Sequence, residues 1–397
     1  MADTEIVDTE MTSETKLELS ELTFDTLQLK ENLLRGIYSY GFEKPSMIQH
    51  KAVPVLISGK DVVAQAQSGT GKTGAFSIGS LNNVNESMKD TQVIILSPTR
   101  ELADQTYKVI QELSSYTDIT SYKVVGGTRV QDCISDLRKI PHVIVGTPGR
   151  VLDMLTKKHI FTNKIKTFII DEADEMLSQG FQEMVHRIFN FIPKTTQVGL
   201  FSATFPSELL ELTTQFMNQP EQILVKKEAL TLEGISQYYI NVKHHHWKYD
   251  VLTDIYNTIN IAQCIIYINS KNRLIEIYHQ LHKDNFPVGM IHGDLQSRER
   301  EQMMDQFRQG DIRILLSTDL LSRGIDIQQL SLVINYDLPI EKETYIHRIG
   351  RSGRYGRKGV AINFVTDRDL QDLQDLQSFY NTKIEEMPQN IADIISV

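Results

Sequence analysis

Residues 62–73 read Val62-Val63-Ala64-Gln65-Ala66-Gln67-Ser68-Gly69-Thr70-Gly71-Lys72-Thr73. An apolar run gives way to a glycine-spaced loop that closes on lysine and threonine, ahead of a helix-length segment. This is the phosphate-binding-loop pattern, with Ala66 where its first glycine usually stands. Gly69 and Gly71 let the backbone curl until successive N–H groups face one anion beside a helix N-terminus. Lys72 supplies a charge for the outer phosphates, and the Thr73 hydroxyl suits Mg²⁺. A buried strand feeding such a loop points to an α/β fold and a bound nucleotide.

The rhythm around this stretch agrees. Short apolar runs recur at Val93–Leu96, Val143–Val145, Phe168–Ile170 and Val198–Phe201, separated by amphipathic segments of helical length. Continuous rather than alternating hydrophobicity marks strands buried on both faces, as in a parallel sheet covered by helices. The pattern restarts with Ile265–Ile268, Val288–Ile291, Ile312–Leu316, Leu332–Ile334 and Val360–Val365. Two tandem α/β units are therefore expected, residues 22–225 and 235–397. The charged, weakly periodic stretch 226–234 serves as a flexible linker between them.

Composition sets limits on partners. Hydrophobic residues make up 41% and charged residues 23% of the 397 positions, a folded globular profile. The net charge is −10, and residues 1–21 hold seven acids against the single base Lys16. That Thr-rich acidic head is expected to be disordered. A bulk basic field is missing, so any case for nucleic acid rests on specific sites. No run approaches the ~20 apolar residues of a membrane span, and the N-terminus carries no signal pattern. Cys133 and Cys264 form no C-x-x-C pair and read as core thiols of a reducing compartment. His244-His245-His246 is declined as a metal site, because adjacent residues cannot share a tetrahedral ion. Tyr238-Tyr239 alternates like a strand and reads as packing.

The strand Phe168–Ile170 runs into Asp171-Glu172-Ala173-Asp174. Carboxylates at the end of a buried strand are costly unless they face a metal, a base or solvent. Opposite the phosphate loop, Asp171 would hold Mg²⁺ (partly through water), Glu172 would polarise an attacking water, and Asp174 would hold neighbouring motifs.

With these motifs in hand, the chain resembles the DEAD-box ATP-dependent RNA helicases from Phe24 onward. Within the family it is most similar to members serving translation initiation and the exon-junction complex. The resemblance implies two RecA-like domains. Gly41 to Gln49 resembles the adenine-reading Q motif, where Gln49 would read the base edge and Phe42 would stack. Residues Ala66, Gln67, Ser68, Gly69, Thr70, Gly71, Lys72 and Thr73 would bind ATP. Pro98-Thr99-Arg100, Gly127 and Thr147-Pro148-Gly149-Arg150 match motifs that grip the RNA sugar–phosphate backbone without reading bases. In the second unit Gly293, Arg300 and Thr318 match RNA-contacting positions, and Gly324 and Asp326 match positions that meet the nucleotide. Arg351 and Arg354 match arginine fingers, which would join Lys72, Asp171 and Glu172 in catalysis. Ser202-Ala203-Thr204 matches the motif linking ATP state to strand separation.

The implied activity is ATP hydrolysis driven by closure of two lobes on single-stranded or short duplex RNA, with local unwinding. It would belong to a monomeric protein of the cytoplasm, with the nucleus as alternative, open to partner proteins that regulate closure. One rival stays open at this point, an ATP-gated RNA clamp with slow hydrolysis; a motor acting on DNA is disfavoured by the Q motif.

One departure bears on RNA affinity. Ser297 stands where the family usually has Gln, and Gln296 lies one residue early, about 100° round a helix. Losing the amide removes about one net hydrogen bond, ~0.5–1.5 kcal/mol. Ser297→Gln is expected to tighten single-stranded RNA binding about two- to tenfold. A titration at fixed salt measures it; equal affinities would mean that Ser297 is a neutral helix-start residue or that Arg300 suffices alone.

Overall fold

The computed structural model describes residues 23–66, 69–177, 181–204, 213, 215–223, 235–258, 261, 263–319, 330–350 and 359–388. The acidic segment 1–21, the linker 226–234, and Gln67, Ser68, Gly324, Asp326, Arg351 and Arg354 lie outside the described residues.

Fourteen strands form two parallel sheets among the described residues. The first is built from β1 (Val62–Gln65), β2 (Val93–Leu96), β3 (Ser121–Val124), β4 (Val143–Gly146), β5 (Thr167–Asp171), β6 (Gln197–Ser202) and β7 (Glu221–Ile223). Their spatial order is β3-β4-β2-β5-β6-β1-β7. The second is built from β8 (Ile235–Asn241), β9 (Cys264–Tyr267), β10 (Val288–Ile291), β11 (Ile314–Ser317), β12 (Leu332–Asn335), β13 (Gly359–Val365) and β14 (Glu385–Glu386). Its order is β10-β11-β9-β12-β13-β8-β14. The expected α/β architecture of two RecA-like sheets is borne out.

Successive residues of each central strand bury themselves on opposite faces. Val62 and Ala64 join one core with Val93, Ile95, Val143, Val145, Ile169 and Phe201. Val63 joins the other with Ile94, Leu96, Ile144, Phe168, Ile170 and Leu200. This is why the runs read as continuously apolar. Both cysteines are buried, and Tyr238 and Tyr239 pack in the cores on either side of β8.

The strands that the apolar runs did not mark out are β3, β7, β8 and β14. β3, β7 and β14 sit at sheet edges and carry half-exposed or exposed residues, and β8, inside the second sheet, is largely half-buried. The helix after β10 spans Ser297–Gln309, and its N-cap is Gln296, which forms a capping box with Glu299. Ser297 is thus the first helical residue rather than the cap. Among the described residues no helix is long and apolar enough to cross a membrane.

Both sheets point their C-terminal strand ends toward the residues singled out by sequence. Along the first sheet the edge reads Gly127 after β3, Thr147 after β4, Pro98 and Thr99 after β2, Asp171 at β5, Ser202 at β6, and Ala66 after β1. Backbone-gripping candidates fill one half of that edge and phosphate-loop candidates the other.

Candidate active site

The phosphate-loop half is held by local geometry. Gly69 and Gly71 have φ of +81° and +101°, the left-handed region open to glycine, and Gly71 caps the helix Lys72–Asn82. A Cβ on Gly71 would lie 2.7 Å from Gln49 Nε2, and one on Gly74 would lie 2.5 Å from it. Glycine is therefore also needed for close approach. Gln49 Nε2 donates to the Gly71 carbonyl (3.3 Å), and its Oε1 accepts the Ser46 N–H (2.9 Å). The same side chain completes the capping box of the helix Met47–Ile57. Phe42 stacks on Phe24 with ring centroids 6.2 Å apart. Lys72 is buried and donates to the Ala66 carbonyl (2.8 Å). Thr70 is half-buried, as is Thr73 at the first turn of the helix.

Across β6, Asp171 and Glu172 are buried side by side, 3% and 2% exposed. Glu172 sits at φ +48°, so the chain turns sharply where the strand ends. Its Oε2 finds no hydrogen-bond partner among the described residues. Burial, reinforced by the Glu172 charge, pushes Asp171 up to about 7 against the opposing pull of Lys72. Two desolvated carboxyls, one with an unsatisfied oxygen, fit a hard cation held through oxygen ligands and water.

Asp174 is the junction. Its Oδ2 accepts from Thr204 Oγ1 (2.7 Å) and meets His347 Nε2 (3.2 Å) from the second lobe. Gln65 ties Ala203 to the phosphate-loop strand, its Nε2 donating to the Ala203 carbonyl (3.1 Å). The Ser202-Ala203-Thr204 motif, the acidic tetrapeptide and the second lobe thus share one carboxylate.

On the other half of the edge, Thr99 caps the helix Arg100–Leu113, accepting the Leu102 N–H at 3.3 Å. Pro98 is buried beneath it, and Arg100 lies over Gly126. Arg150 donates to Thr128 Oγ1 (3.2 Å) and the Thr128 carbonyl (3.0 Å), pinning the turn that exposes Gly127 at φ +80°. Thr147 and Pro148 open the helix Pro148–Thr156, leaving Gly149 exposed.

On the second sheet Gly293 is exposed after β10, and half-buried Thr318 follows β11. A Cβ on Gly293 would meet nothing within 4 Å, so the fold itself does not require glycine there. Arg300 turns toward the first lobe and pairs with Glu101 Oε1 at 2.8 Å. Both side chains are largely buried, and Arg300 Nε and Glu101 Oε2 find no partner among the described residues.

The roles of Glu101, His347 and Arg348 were not read from sequence. Pairing across the cleft, as Glu101 and His347 do, leaves no local signal.

Residues 46–212 match the model of the DEAD/DEAH box helicase family, and residues 247–356 match that of the helicase conserved C-terminal domain. The chain belongs to the DEAD/DEAH box helicase family. It is 54% identical over 372 residues to the ATP-dependent RNA helicase eIF4A of Kluyveromyces lactis, covering 94% of each chain. S. cerevisiae Dbp5 bound to RNA and ADP BeF3 is 39% identical, with a TM-score of 0.89 over 94% of this chain and 98% of that one. A Dbp5 variant bound to Nup159, a Gle1 variant, IP6 and ADP, also 39% identical, gives only 0.64 over 91% and 96%. The chain thus superposes more closely on the RNA- and ADP BeF3-bound structure than on that one.

Two outcomes test this geometry. Without nucleotide or metal, Asp171 resists ionisation up to about pH 7, whereas an unfolded Asp ionises near ~3.9. Stability from its protonated form is complete below the unfolded value and drains away as pH rises toward 7. Asp171→Asn should raise the melting temperature of the ligand-free protein by a margin that widens from pH 5 to pH 7 and then levels, about 2–4 °C per kcal/mol. A margin constant with pH in scanning calorimetry would refute the assignment. Separately, Glu101→Arg or Arg300→Glu alone strands a buried charge and should cut the closed population at least tenfold, about 1.4 kcal/mol. Combining the two should restore it. Energy transfer between labels on the two lobes reads this out, and a double variant no better than either single change would discount the pair.

Proposed function

We infer that the chain is an ATP-dependent RNA helicase in which RNA-driven closure of two lobes switches on ATP hydrolysis. The observation that carries this reading is the divided strand edge of the first sheet, joined to the second lobe through Asp174 and Arg300. Residues 22–225 form the ATP-binding lobe and 235–397 the second lobe, with 226–234 as the link.

ATP lies along the half of the edge formed by β5, β6 and β1. Lys72 and the loop from Ala66 to Thr73 hold its phosphates, while Gln49 and Phe42 border the base. Thr73 and Asp171 would hold Mg²⁺, which when bound offsets phosphate charge. Glu172 orients a water and takes up its proton as the oxygen attacks the γ-phosphorus and the bond to ADP breaks. Its unpartnered buried oxygen is suited to that proton. Arg351 and Arg354 steady the charge that develops, and Gly324 and Asp326 contact the nucleotide from the second lobe.

RNA crosses the remaining strand ends. Pro98, Thr99, Arg100, Gly127 and Thr147 to Arg150 hold it on the first lobe, and Gly293, Arg300 and Thr318 on the second. Backbone contact predicts little sequence preference, and contacts to the 2′-hydroxyl separate RNA from DNA. Since Arg300 also pairs with Glu101, it would serve RNA and closure together. By likeness to the relatives named eIF4A, the work is local unwinding in translation initiation, by a monomer in the cytoplasm, with regulatory partners acting on closure. No feature of the site favours a clamp that seldom hydrolyses, because Lys72 and Glu172 are both present.

Steady-state ATPase with and without single-stranded RNA tests the reading. Lys72→Ala should weaken nucleotide binding and stop turnover. Glu172→Gln should keep ATP bound, slow hydrolysis at least a hundredfold and trap RNA. Parent-rate hydrolysis by Glu172→Gln, or turnover indifferent to RNA, would overturn the scheme.

A further inference from the structure

The helix Lys342–Ile349 packs on the second sheet through a face that is mostly apolar. Ile346 and Ile349 meet Ala361, Val365, Leu373 and Leu376 there. Within that apolar surface lies a closed circuit of buried polar groups. Tyr345 Oη donates to Gln237 Oε1 on β8 (3.0 Å) and accepts from Asn363 Nδ2 on β13 (3.2 Å). Asn363 Oδ1 accepts from Asn335 Nδ2 on β12 (2.9 Å), its direct neighbour in the strand register. Asn335 Oδ1 accepts from Arg348 (3.2 Å), which returns the circuit to the helix one turn beyond Tyr345. Asn363 Nδ2 also reaches the Tyr238 carbonyl (2.9 Å), and Gln237 Nε2 reaches Thr382 Oγ1 (3.0 Å). Tyr345, Arg348, Asn335 and Asn363 are all fully buried.

Apolar packing holds a helix on a sheet but is non-directional, so it tolerates small rotations and slips. Hydrogen bonds at two points one turn apart do not, because an unpaired buried polar group is costly. What this rotation sets is visible on both sides of the helix. His347, between the two pins, meets Asp174 across the cleft. Arg348 extends to Asp319 beside Thr318 (2.6 and 3.0 Å), to Asn269 Oδ1 (2.6 Å) and to the Asp337 carbonyl (2.7 Å). The helix therefore touches the loop end of β11 and the acidic tetrapeptide of the other lobe at once.

We propose that Tyr345, Asn335 and Asn363 are positioning residues for ATP hydrolysis: their buried circuit fixes the rotation of the helix Lys342–Ile349, and so holds His347 at Asp174 while Arg348 holds the Thr318-Asp319 turn. The proposal rests on the assignment of Asp171 to Asp174 to ATP hydrolysis.

The test uses the full chain. Tyr345→Phe deletes one oxygen and opens the circuit on the β13 side. Asn335→Ser opens it on the Arg348 side and serves if the first variant fails to fold. Ile255→Val removes one methyl group from the opposite core and controls for lost stability. Each circuit variant should lower the RNA-stimulated kcat about tenfold while leaving the KM for ATP within about twofold, since the first lobe holds the nucleotide. Ile255→Val should keep both parameters at a comparable melting temperature. Parent kcat in Tyr345→Phe and Asn335→Ser, or an equal fall in Ile255→Val, overturns the positioning role alone. A parent protein without RNA-stimulated turnover overturns the underlying assignment, and this proposal with it.

Discussion

A parallel sheet covered on both faces leaves its chain only the strand ends for polar chemistry. The apolar side chains of β1, β2, β4 and β5 are buried in the two cores on either face. Carboxylates, hydroxyls and tight turns must therefore collect where the strands stop. Because all strands run the same way, they stop on one edge, and the strand order decides which motifs become neighbours. Asp171 and the phosphate loop are far apart in sequence yet separated in space by β6 alone. The site is thus a consequence of the sheet, and the second lobe repeats the logic.

The same constraint explains what could be read without coordinates. Buried strands write a continuous apolar signal, and the phosphate loop writes a spacing that few other geometries require, so the central strands and the placing of Asp171 across from the phosphate loop were legible. Of the edge strands only β10 wrote such a run; β3, β7 and β14 wrote nothing comparable. β3 is Ser-Tyr-Lys-Val, half-exposed until its last residue, and β14 is two exposed glutamates. Nor does any local pattern announce that Arg300 meets Glu101 or that His347 meets Asp174, 173 positions away. Those contacts depend on how two separately legible sheets are set against each other. The buried circuit around Tyr345 was hidden for a further reason: Asn335 ends one apolar run and Asn363 interrupts another, and sequence alone cannot distinguish a polar defect from a partnered pair.

The two cross-lobe contacts differ in kind. Asp174 is shared by Thr204 and His347, so it joins the lobes through groups already engaged within each. Glu101 and Arg300 form a largely buried ion pair with one unpartnered atom on either side. Desolvation offsets much of the Coulomb gain in such a pair. A contact of this sort discriminates sharply against mismatched geometry while contributing little net affinity, and it suits a pair of lobes whose closure is decided by ligands rather than by the protein alone.

The strand order also sets a lever. The chain crosses between lobes from β7, the outermost strand of the first sheet, to β8 in the second. At a spacing of ~4.8 Å, β5 lies about 14 Å and β2 about 19 Å from β7. A rotation of about 10° about the β7 edge would carry the end of β5 about 2.5 Å and the end of β2 about 3.3 Å. In such a rotation the Glu101–Arg300 grip, next to β2, would travel farther than the Asp174–His347 contact and would part first. The cleft would then unzip from its outer margin inward, and the strand-gripping half would let go while the phosphate half was still engaged.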